Sequence, residues 1–175
     1  MLQSRKPARH AQSQRRALAC LEGRTTHLNA DSFPFTHNLE VIFRDVDSMG
    51  HVNNAVYFTY LETARIKYFR ELTSRPDLEH MNMIVARATC DYKAPAFLGE
   101  NLNVGVAVTR FGNKSFDFTY RIVAGDDRLI ATAKTVQVAY DYQADRPMVL
   151  LGAFKAAVLD CQGGLEFLSA PDNGA

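Results

Sequence analysis

The sequence has no run of about 18 consecutive apolar residues, the length a helix needs to cross a bilayer, so no membrane span is expected. Cysteine is scarce. Cys20, Cys90 and Cys161 are odd in number, far apart, and form neither a C-x-x-C pair nor a zinc-like spacing with histidine. That argues against a disulfide framework or a metal cluster, and for packing cysteines in a reducing compartment. Also missing are G-x-G-x-x-G, a Walker loop, G-x-S-x-G and H-E-x-x-H, which sets aside the common nucleotide-binding, serine-hydrolase and zinc-protease signatures. No repeat of solenoid period occurs.

Net charge is nearly absent too, at +1, but it is unevenly spread. Residues 1–30 hold six cations (Arg5, Lys6, Arg9, Arg15, Arg16 and Arg24) against Glu22, which leaves the other 145 residues at −4. A mildly acidic body offers no phosphate-neutralising face, so no nucleic-acid partner is expected. The basic start, taken as residues 1–33, reads as a disordered extension, an overextended gene start or a mitochondrial transit peptide. The corresponding homes are cytoplasmic or, with a transit peptide, mitochondrial. What is present in the remaining sequence, 47% hydrophobic and 22% charged overall, is ordinary globular composition, sufficient for one domain over residues 34–162. A frayed tail is expected over 163–175.

Thr36–Phe43 alternates Leu39, Val41 and Phe43 with polar partners, the pattern of a half-buried strand. Residues 44–53 form a polar loop containing Gly50. Helical spacing follows from Asn54 to Leu72, and it is apolar on so many sides that the helix is expected to be covered all round. Pro76 and Asp77 end it. Periodicity two then marks Met83–Tyr92, Leu102–Val108, Phe116–Ile122 and Val136–Tyr142 as strands, with Gly-Asn and Gly-Asp-Asp turn chemistry between them. Gly152–Cys161 reads as a short helix. One strand, one long central helix and an antiparallel meander make an α+β fold whose sheet wraps the helix.

The loop RDVDSMGHVNNAVY, residues 44–57, is unusually rich in chemistry. The first amides of a helix lack internal partners, and the helix dipole adds partial positive charge there, so such an end stabilises a developing oxyanion. Asp47 lies a few residues upstream, where Gly50 allows a sharp turn, and can serve as nucleophile or general base. A plainer account makes Asp47 and Asn53 helix caps and His51 a loop histidine bonded to a carbonyl. Against it stands a surplus: a helix needs one cap, and Asp45, Asp47, His51, Asn53 and Asn54 all crowd this entrance.

Together with Y-L-E-T-A-R, residues 60–65, this loop resembles the signature of the hotdog-fold acyl-CoA thioesterases of the 4-hydroxybenzoyl-CoA thioesterase-like group. The resemblance covers about residues 36–155. It implies that Asp47 attacks the thioester carbonyl or activates water, that the backbone N–H of Asn54 polarises that carbonyl, and that the substrate lies close against Gly50. His51 is the residue by which the G-H-V-N-N branch differs from relatives, with a role in orienting water or the aspartate. Lys114-Ser115-Phe116 resembles a K-S-F segment that contacts the phosphates and pantetheine arm of coenzyme A, although Gly112 replaces an arginine found in some relatives. The resemblance implies no cofactor, since coenzyme A is part of the substrate. It also implies a homo-oligomer, a dimer or dimer of dimers, with sheets joined edge to edge and the active site between subunits.

Three further residues belong to the expected substrate site. Asn53 offers side-chain hydrogen bonds or a cap. Tyr57, with Phe58, Tyr60 and Leu61, can line an acyl pocket or simply fill the core. Glu62 stands three residues before Arg65, an ordinary stabilising pair, at a position where some hotdog thioesterases carry a catalytic glutamate. Two other activities fit the fold. One is enoyl-CoA hydration, whose D-x-N-P-x-H loop is one residue longer between acid and histidine than Asp47–His51. The other is acyl-CoA binding without turnover. An acyl carrier protein is an alternative thioester donor.

Overall fold

A computed structural model describes residues 33–73 and 82–164. The basic segment before residue 33, the Pro76–Asp77 helix stop and the tail beyond residue 164 lie outside the described residues. The order is β1 (Phe35–Glu40), a 3-10 turn (Phe43–Asp45), α1 (Val56–Thr73), β2 (Met83–Tyr92), β3 (Asn101–Phe111), β4 (Ser115–Ala124), β5 (Leu129–Asp141), β6 (Arg146–Pro147) and α2 (Gly152–Gln162). The strands form an antiparallel sheet in the order β1-β3-β4-β5-β2, with β6 paired to the end of β5. This is the hotdog arrangement, α1 lying against one face of the sheet. No helix among the described residues is long and apolar enough to cross a membrane.

Side-chain alternation sets which face meets the helix. Phe116, Phe118, Tyr120 and Ile122 of β4 all point to the α1 side and are buried. Tyr68 packs edge-on against Phe35 and Phe118, and Phe69 packs against Phe116 and Phe118. Each such buried side chain contributes roughly 1.5–3 kcal/mol by leaving water. The helix α2 closes this end: Phe154 stacks flat on Phe69 at 5.5 Å. At the other end of α2, the Gln162 amide accepts from Val108 N–H and donates to Val108 O, at 2.8 and 2.9 Å. That clamp serves a stretch of β3 beyond the reach of β1, whose pairing runs only to Val106.

Two expectations change. Phe43 does not belong to the first strand: β1 ends at Glu40, and Phe43 stands 84% exposed in the 3-10 turn. Among the described residues the helix is not covered all round. Its buried positions are Tyr57, Tyr60, Leu61, Ala64, Arg65 and Tyr68, while Phe58, Thr59, Glu62 and Lys67 face outward. Six buried positions at spacings of three and four make a single stripe, and Phe58 falls beside it.

Candidate active site

The polar loop is folded back on itself. Val46 and Val52 form an antiparallel bridge, Asp47 N–H donates to His51 O at 3.0 Å, and Gly50 N–H donates to Asp47 O at 3.0 Å. Gly50 takes φ +81°, a left-handed conformation that suits glycine. The half-buried Asp47 turns its Oδ1 toward Met49 N–H, at 2.9 Å. One carboxylate oxygen thus fixes the turn. No side-chain hydrogen bond among the described residues joins Asp47 to His51, Asn53 or Asn54.

The helix start is divided between two asparagines. Asn53 is the cap: its Oδ1 accepts from Ala55 N–H and its carbonyl from Val56 N–H, both at 2.9 Å. Asn54 is exposed, its carbonyl accepts from the Tyr92 hydroxyl at 2.9 Å, and its N–H finds no acceptor among the described residues. His51 Nδ1 lies 3.4 Å from Val52 O, a long contact, and its carbonyl is the part engaged with Asp47.

Beneath the loop sits a group whose place the sequence does not reveal. Asp45 is buried, and its Oδ2 accepts from the Tyr60 hydroxyl at 2.7 Å and from Ile42 N–H at 3.2 Å. Its carbonyl accepts from Asn53 N–H at 2.9 Å. One residue therefore ties the loop's entrance, its exit and the second turn of α1 together. Burial, then the hydrogen bond and charge of Asp45, push the Tyr60 hydroxyl far above the ordinary tyrosine range. It remains a donor at any working pH. The partners are 15 residues apart on different elements, so no local motif announces them.

Tyr57 is buried, with its ring 5.0 Å from that of Tyr92, and burial raises its pKa. Glu62 is exposed and sits 3.6 Å from the buried Arg65, the ordinary i,i+3 pair. Burial likewise raises the Cys90 thiol, which keeps it protonated. Among the described residues no group of three or more His, Cys, Asp or Glu is placed to hold a metal ion.

Lys114 and Ser115 are not brought to this loop within one chain. Ser115 pairs with Val138, and Val138 with Ile84 near the start of β2. Tyr92, beside the helix start, lies across Ala131 from Ile122. Ser115 and Ile122 are seven residues apart on one strand, about 23 Å.

The family profile described as the thioesterase-like superfamily matches residues 41–158. The acyl-CoA thioester hydrolase YbgC of Escherichia coli O6:H1 is 30% identical over 119 residues, covering 66% of this chain and 89% of that protein. An uncharacterised Bacillus subtilis protein, YsmA, is 33% identical over 89 residues, covering 51% of this chain and 60% of its own length. A thioesterase from Thermus thermophilus, solved in complex with coenzyme A and Zn, superimposes with a TM-score of 0.70 at 35% identity, covering 76% of this chain and 97% of its own. With the profile spanning well over half the sequence, the chain belongs to the thioesterase-like superfamily.

Proposed function

We propose that the protein hydrolyses acyl-CoA thioesters to a free carboxylic acid and coenzyme A, with Asp47 as nucleophile or general base. The observation that carries this reading is the Asn54 N–H, left without an acceptor among the described residues at a helix start that the Asp47 loop adjoins. A thioester carbonyl seated there has its developing negative charge met by an amide and by the helix dipole. In the general-base course, Asp47 takes a proton from water as the water oxygen bonds to the carbonyl carbon. The C–S bond then breaks, and the proton passes to the departing thiolate. In the nucleophilic course, the Asp47 carboxylate bonds to the carbonyl carbon, the C–S bond breaks to release coenzyme A thiolate, and water then opens the mixed anhydride to the free acid and the Asp47 carboxylate, its proton balancing the thiolate. Both give the same products.

The reading extends to a two-fold dimer. β2 ends the sheet, pairs only with β5 among the described residues, and bears exposed Ile84, Val85 and Tyr92. An open apolar edge invites a second copy. A two-fold axis perpendicular to the sheet runs β2 antiparallel to its mate and keeps both helices on one face. The Lys114–Ser115 turn of one copy then moves toward the Asp47 loop of the other, where its cation can meet a coenzyme A phosphate.

The test is release of free thiol from a panel of acyl-CoA and acyl-carrier-protein thioesters by the purified full chain. Thioester-dependent thiol release supports the reading. Tight binding with no thiol released from any member overturns it in favour of a binding module.

A further inference from the structure

The face of the sheet turned away from α1 carries a polar pocket of about 300 Å³, lined by Arg87, Thr89, Arg110, Asp117, Lys134 and Val136. Strand register explains why these residues meet. Phe116 and Phe118 point to the helix, so Asp117 between them points to the opposite face. Residues directly opposite each other in an antiparallel pair share a face. Arg110 pairs with Asp117, Asp117 with Val136, and Val136 with Arg87, which makes one row across β3, β4, β5 and β2. The next row runs Thr119, Lys134, Thr89.

The charges in this pocket do not balance. Asp117 is 5% exposed, and Arg110 takes both its oxygens: Nε donates to Oδ2 at 2.8 Å and Nη2 to Oδ1 at 2.9 Å. That fork fixes the guanidinium plane and leaves Nη1 and the second proton of Nη2 for another acceptor. Arg87 and Lys134 are exposed, and neither forms an ion pair among the described residues. Three cations against one carboxylate leave the pocket at +2. Asp91 stands in the row beyond Lys134, where Thr132 separates it from a cation of its own row, Arg121. The mildly acidic total of the body hides this local excess.

We propose that this pocket binds a phosphate group, that of inorganic phosphate or of a small phosphomonoester, at a site separate from the Asp47 loop. Neighbouring strands lie about 4.8 Å apart, so Arg110 and Arg87 stand about 14 Å apart along the row and enter the pocket from opposite sides. Two guanidinium groups so placed can each meet one O–P–O edge of a tetrahedral anion, whereas a carboxylate has a single such edge. Lys134 adds a point charge from the next row. The Thr89 hydroxyl is an adjustable donor, since its contact with Lys134 O is long, at 3.4 Å. A phosphomonoester carries about −2 at neutral pH, which cancels the excess.

The Lys114 turn, read above as a contact for coenzyme A, caps the same β3–β4 hairpin, so the test keeps the two apart. Equilibrium dialysis of the purified full chain against radiolabelled phosphate, with ionic strength held by chloride, is expected to show one phosphate bound per chain. The double variant Arg87→Gln, Lys134→Gln weakens that binding by about tenfold or more. Both side chains are exposed, so the double variant keeps its melting temperature. Lys114→Gln changes phosphate affinity by less than about twofold. Displacement by adenosine monophosphate at lower concentration than by unlabelled phosphate assigns the group to a nucleotide, and the reverse order assigns it to the free ion. No bound phosphate, or equal binding by wild type and the double variant, overturns the site. Loss of binding in Lys114→Gln alone moves the ligand to the hairpin turn and overturns it as well.

Discussion

The two ends of α1 are built on opposite rules. At its first turn the helix meets a closed polar loop in which Asp45, Asp47, Asn53 and the Tyr60 hydroxyl share hydrogen bonds. At its last turns it meets a cluster of rings, in which Phe69 and Phe116 touch each other and each touches both Phe118 and Phe154. The first end is held by directional bonds, each satisfied at a stated atom, so its geometry is fixed to within a narrow range. The second is held by area, which tolerates changes of shape at modest cost. One helix thus carries an end held by directional bonds and an end held by buried area.

Substitutions at each end break or sharpen that contrast. The largest expected effect is at the polar end. Asp47→Asn retains an oxygen for Met49 N–H and hence the turn, yet loses the basic carboxylate. kcat for thiol release falls by about 10²–10⁴-fold while the melting temperature holds, and a near-native rate removes Asp47 from the chemistry. At the apolar end the loss appears in stability. Phe118→Ala, at a fully buried position, is expected to cost about 3–5 kcal/mol in denaturant unfolding.

A smaller effect returns to the loop. Tyr60→Phe deprives the buried Asp45 carboxylate of its shortest hydrogen bond and costs about 1–3 kcal/mol. If the loop is the fixed end, kcat drops as well, with KM changing less. A rate equal to wild type makes Asp45 a structural acid alone. The smallest effect is on pH dependence. Burial first, then the Lys67 charge, hold His37 below the ordinary histidine value, so the unfolded chain binds this proton more readily than the folded one. Stability from this site is present above about pH 6.5 and declines as pH falls below it. His37→Gln flattens that acid-side slope slightly in melts from pH 7.5 to 5, and an unchanged slope assigns it to other groups.

Much of the fold is legible in the sequence because local pattern and burial agree. The expected strand Met83–Tyr92 coincides with β2, the later strands show their period of two, and Gly152–Cys161 falls one residue short of α2. The loop is legible as a surplus of polar residues, and the expected cap at Asn53 holds its amides. What escapes depends on tertiary geometry. Asp45 gives no sign of being the buried member of the pair, since its partner Tyr60 belongs to the next element. Apolar spacing assigns Phe58 to the buried side of the helix, but the described residues leave it 38% exposed. Nor does periodicity tell a strand in the middle of a sheet from one at its edge, and so β2 shows its open side only once the strands are ordered.

The grip of Gln162 on Val108 carries a consequence for the integrity of the whole molecule. A single side-chain amide stands in for the missing neighbour of β3, shielding main-chain groups that would otherwise template further strands. Loss of that amide would leave the N–H and carbonyl of Val108 without these partners, in the stretch of β3 that β1 does not reach, at a cost of about 1–3 kcal/mol for each group left dry.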